Sequence, residues 1–119
     1  MAELHRDGGD IVVELSTLEK AEAAHGNVRI PASALRTIDV IDDALEAVPA
    51  LKAPGARVPG WMAVGTFYSG LGHDRRKAFV VIHHTTARAV RVTLSGADYD
   101  ELIIGCADPE SVAAALRES

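Results

Sequence analysis

The chain reads as a mainly β domain closed by a helix, and three features of its 119 residues predict that. Short apolar segments repeat with a period of two, clusters of Gly, Pro, Asp and Ser break them at short intervals, and only the last stretch combines helix start signals with apolar residues at helical spacing.

Asp10 to Leu15 sets Ile11, Val13 and Leu15 on one side and Val12 and Glu14 on the other, the pattern of a strand. Residues 1–9 are polar, carry both charge signs, and predict a flexible N-terminal segment. Ser16 and Glu19 have capping-box spacing, and Leu18 to Ala24 runs through helix formers until Gly26 and Asn27, so a short helix should follow the first strand. Val28 to Ile30 is extended up to Pro31, Ala32 to Leu35 is a turn, and Arg36 to Ile41 is a strand with Ile38 and Val40 opposite Asp39. Asp42 and Asp43 can cap a short helical stretch through Val48. Pro49, Pro54, Gly55, Pro59 and Gly60 then argue against any continuous helix or strand, which makes Ala50 to Trp61 a long loop.

Trp61 to Tyr68 is rich in aromatic and β-branched residues, with Gly65 marking a bulge or close backbone approach. Ser69 to Lys77 has turn composition, and Ala78 to His83 completes a hairpin. Ala89 to Leu94 and Glu101 to Gly105 are two further strands joined through Ser95, Gly96 and Asp98. Asp108 as N-cap, Pro109 at the first helical position, and Val112, Ala115 and Leu116 at helical spacing predict the terminal amphipathic helix. The sum is about seven strands in a strongly bent antiparallel sheet or partly open barrel, capped by the helix.

The length suits a single domain, and 48% hydrophobic with 24% charged residues is the composition of a folded chain. A formal charge of -5 opposes binding to nucleic acid. The polar start lacks the apolar stretch of a secretory signal, and no apolar run approaches the roughly 18 residues of a membrane span. The single cysteine, Cys106, cannot form an internal disulfide, which points to a reducing cytoplasm.

The order of elements resembles the bacterial pleckstrin-homology-like (PH-like) domains. The residues that carry the resemblance are Asp10 to Leu15, Val28-Arg29-Ile30-Pro31 leading through Ala34-Leu35-Arg36 into Thr37 to Ile41, Val64-Gly65-Thr66-Phe67, and Leu102-Ile103-Ile104 followed by Asp108-Pro109-Glu110. These are packing and turn positions, and they cover nearly the whole chain. The resemblance implies a bent seven-stranded antiparallel sheet with a C-terminal helix, and a non-enzymatic binding or assembly module without cofactor. Relatives that bind phosphoinositides use basic residues between their first two strands. Here Ser16 to Asn27 offers Lys20 against Glu19 and Glu22, so that lipid motif is absent.

Among individual side chains, His83 and His84 are adjacent in a strand and point to opposite faces, so they do not share one metal ion. His73-Asp74-Arg75-Arg76-Lys77 is the one dense basic stretch, either an anion-binding turn or a solvated loop. Trp61, the only tryptophan, is either an interface anchor or a packing residue, and Arg57 precedes it in the Pro/Gly loop. Only one of Phe67 and Tyr68 can enter the core. Cys106, among apolar residues, reads as an inert buried thiol. No phosphate loop, dinucleotide fingerprint or nucleophile elbow is present. The candidate binding residues are therefore Trp61, Arg57, His73, Arg75, Arg76 and Lys77, with no catalytic or metal-ligating set. The function they suggest is binding a protein partner or self-association as a homodimer. The alternatives are a small-molecule-binding barrel with an apolar pocket and, last, an enzyme using His and Asp side chains.

Overall fold

The computed structural model describes residues 2–23, 26–47, 51–58, 61–69, 75–84 and 88–117, with the backbone alone at 21–23, 46–47, 51–58 and 69. Two sheets carry the fold. The first has the order β1-β2-β3, with β1 at Glu3–Asp7, β2 at Asp10–Glu14 and β3 at Val28–Pro31, and both of its pairings are antiparallel. The second has the order β4-β8-β9-β7-β6-β5, with β4 at Leu35–Ile41, β5 at Leu51–Val58, β6 at Met62–Ser69, β7 at Arg76–His83, β8 at Ala89–Leu94 and β9 at Glu101–Gly105. Helix α1 (Thr17–Ala23) links β2 to β3, and α2 (Pro109–Arg117) follows β9. The second sheet is open, since no pairing joins β4 to β5 among the described residues.

The main core lies where the two sheets face each other. Leu4, Ile11, Val13, Val28 and Ile30 from the first sheet meet Met62, Val64, Phe79, Val81, Val90, Val92, Leu102 and Ile104 from the second, and Ala113 and Leu116 of α2 join the same cluster. The opposite face of the second sheet forms a smaller cluster of Ala63, Phe67, Ala78, Val80, Ile82, Ala89 and Ile103, packed with Ala44, Leu45 and Ile41. Strands β7 and β9 are therefore buried on both faces. This is why Phe79 to Ile82 and Leu102 to Ile104 are unbroken apolar runs rather than alternating ones.

The roughly seven strands expected in one bent sheet or partly open barrel are nine among the described residues and divide into two sheets, and three local features also depart from the sequence reading. Residues 3–7, expected to belong to a flexible segment, form β1. Gly8 and Gly9 sit between the paired residues Asp7 and Asp10, and Gly8 has φ +61°, the conformation that a two-residue hairpin turn needs at its first central position. The stretch from Ala50 to Trp61, expected as a loop, contains β5. β5 is an edge strand, and its pairing with β6 shifts register between Lys52 and Gly55, so Pro54 falls where the ladder is interrupted and its missing N–H costs least.

Finally, the second sheet is mixed: β7 pairs with β9 in parallel. β8 pairs with β4 and leaves one strand position open beside β7. β9, turning back antiparallel from β8, fills that position and so must run parallel to β7.

Candidate functional site

A cleft of about 520 Å³ opens between β1 and the start of α2. One wall is Ala2, Glu3, Leu4 and His5; the other is Cys106, Ala107, Asp108, Ser111 and Val112. Side chains in a strand alternate between faces, so four consecutive residues can line one cleft only if the strand presents its edge to it. β1 is the terminal strand of its sheet, and every second residue of such a strand turns its N–H and C=O away from its partner. Among the described residues no backbone hydrogen bond crosses the cleft.

Local chemistry fixes both walls. On the helix side the Asp108 carboxylate accepts hydrogen bonds from the Ser111 N–H (3.3 Å) and hydroxyl (2.7 Å), which caps α2 as its sequence predicts. These bonds hold the Asp108 carboxyl below the usual carboxylate range. Arg88 binds both Asp42 and Glu110, tying the helix start to the end of β4. At the far end, Arg6 Nε donates to the Leu116 carbonyl at 2.9 Å, so β1 and α2 are fastened beyond the opening. His5 Nε2 lies 2.9 Å from Glu14 Oε1, and that bond raises the His5 pKa. The Cys106 thiol donates to the Ile104 carbonyl at 3.3 Å, and burial pushes its pKa up, which makes it a poor nucleophile.

The side chains singled out from the sequence are dispersed. Trp61 is 52% exposed and stacks on His84 with ring centroids 3.5 Å apart, so the indole is pinned at the surface rather than packed in the core. Met62 pairs with His83 at one end of the β6–β7 hairpin and Ser69 with Arg76 at the other. That separation puts Trp61 roughly 20 Å from the basic residues, too far for one contact region. Arg75 lies over the Tyr68 ring at 4.0 Å and Lys77 over the Tyr99 ring at 4.8 Å, while Arg76 is exposed. The Arg57 side chain and His73 lie outside the described residues. Phe67 is buried and Tyr68 lies at the surface, dividing between the two faces.

His83 and His84 also diverge. His84 meets Trp61, whereas His83 Nε2 sits 3.1 Å from Oε2 of Glu19, which is only 2% exposed. No three His, Cys, Asp or Glu side chains converge among the described residues. No described helix is long and apolar enough to cross a membrane.

Of the cleft residues, the sequence marked Cys106 as a buried thiol and Asp108 and Val112 as parts of the terminal helix, and none as part of a site, because the strand that supplies the other wall went unremarked. The signal for that strand was present in Asp7-Gly8-Gly9-Asp10, a two-residue hairpin turn. No family model matches the chain, and neither the curated proteins nor the solved structures include a significant match to it.

Proposed function

We propose that this chain is a non-enzymatic PH-like binding module that takes an extended segment of a partner protein into the cleft between β1 and α2. The observation that carries the reading is the unpaired edge of β1 along an apolar-floored cleft. An added strand supplies the backbone hydrogen bonds that such an edge lacks, and its alternate side chains reach the floor made by Ala2, Leu4, Cys106 and Val112. The PH-like assignment is supported by the C-terminal helix packed against the sheets, while the helix inserted before β3 departs from the family's simplest pattern. The additional β1 and the parallel β7–β9 pair are further departures from it.

Amide-resolved NMR tests this with short extended peptides of alternating Val and Thr. Shifts should concentrate in residues 2–5 and 106–112, and Ala107→Trp, which fills the opening from an exposed position, should weaken them by about tenfold or more. Shifts centred on Trp61 and His84 instead, unchanged by Ala107→Trp, would move the binding surface to the other face of the second sheet.

A further inference from the structure

We infer that the segment bound in this cleft carries a basic side chain opposite Glu3; the inference rests on the reading of the cleft as the binding site. Glu3 lies directly across from Glu14 in the β1–β2 register, and both side chains are exposed. Like charges at opposed positions destabilise a strand pair, so this edge of the sheet holds negative charge at a cost.

Among the described residues, the side-chain cations nearby are already committed. His5 is bonded to Glu14, Arg6 turns to the Leu116 carbonyl, and Arg88 is shared between Asp42 and Glu110. Glu3 has no ion-pair partner among the described residues. Across the opening, Asp108 accepts two hydrogen bonds from Ser111 and keeps acceptor capacity, because a carboxylate offers about four acceptor sites.

The rim of the cleft is thus acidic while its floor is apolar. A strand added beside β1 sets one residue directly opposite Glu3, with Cβ atoms roughly 5 Å apart. A Lys or Arg there gains from Glu3 and from the neighbouring Glu14, whereas an acidic residue adds a third like charge. The complementary partner is an extended segment that alternates apolar and basic residues.

Two six-residue peptides of alternating Val with Lys or with Glu, and a neutral one with Thr, test this against the whole chain by NMR titration. The Lys peptide should bind at least about tenfold more tightly than the Glu peptide, and Glu3→Lys, which removes the Glu3–Glu14 repulsion and so keeps the fold, should reverse the order. Equal binding of all three peptides that Ala107→Trp still abolishes overturns the charge preference and leaves the cleft reading standing. If no peptide shifts residues 2–5 or 106–112, the cleft reading falls and the inference falls with it.

Discussion

Glu19 shows how much one side chain can hold. Its Oε1 accepts the Ser16 N–H at 2.9 Å while the Ser16 hydroxyl accepts the Glu19 N–H at 3.2 Å, a complete capping box. Its Oε2 takes the Ala2 N–H and faces His83 Nε2, both at 3.1 Å. One buried carboxylate therefore joins the start of α1, the residue before β1 and the end of β7. Burial pushes its pKa up, but the Ser16 N–H, His83 and the Ser16 hydroxyl outweigh that, and the group ends below the usual range. Glu19→Gln turns one acceptor into a donor facing other donors, and should cost about 1–3 kcal/mol in urea unfolding at neutral pH. A smaller loss would mean that the carboxylate is not the junction drawn here. The Ser16–Glu19 spacing was legible in the sequence as a cap. The contacts to Ala2 and His83 were not, because they span 17 and 64 residues and no local pattern encodes them.

The elements follow the same division between local and long-range information. β8 and β9 are bounded as their turn residues predict, and α2 begins on the Asp108 cap and Pro109. What local pattern could not supply was position within a sheet. Pro54 argues against a strand only if that strand is internal, and β5 is at an edge. The antiparallel expectation fails only at β7–β9, where strand order rather than residue preference sets direction. β1 has a weak apolar pattern, with Leu4 its one buried side chain, so its turn is what defines it.

That turn predicts its own test. Gly8→Val places a β-branched residue at φ +61° and should cost about 1–2 kcal/mol, measured by denaturant unfolding. Gly9→Ala, with no positive φ and nothing within 4 Å of an added Cβ, should cost much less. Equal losses at the two positions would show that Gly8 is not the residue that needs its backbone freedom. Because β1 forms one wall of the cleft, Gly8→Val should also weaken any segment bound there, whereas Gly9→Ala should not.

At the scale of the whole molecule, two sheets pressed over one core are held at their margins by charged groups, and these set how stability depends on pH. Asp7 is held below the usual carboxylate range by its bond to Arg29, Glu110 by Arg88, Asp108 by Ser111, and Glu19 by its bonds to Ser16 and His83. A carboxylate with a depressed folded value binds its proton more readily when unfolded. Its contribution is therefore complete above the unfolded value of about 4–4.5 and is lost as pH falls through the folded one. His5 acts in the opposite sense: its raised pKa gives stability that is full below about 6.5 and is lost as pH rises through the folded value.

The thermal midpoint should accordingly fall on acidification from about pH 5 to pH 3, with a slight decline above neutrality that His5→Gln removes. Glu19 separates this account from general charge repulsion. The gap between the parent chain and Glu19→Gln should be widest near neutral pH and shrink in acid, because the parent loses its carboxylate charge and the variant has none to lose. A gap that stays constant across that range would mean that Glu19 acts through its shape and hydrogen bonds, and that the acid loss comes from the exposed pairs at Asp7, Asp108 and Glu110.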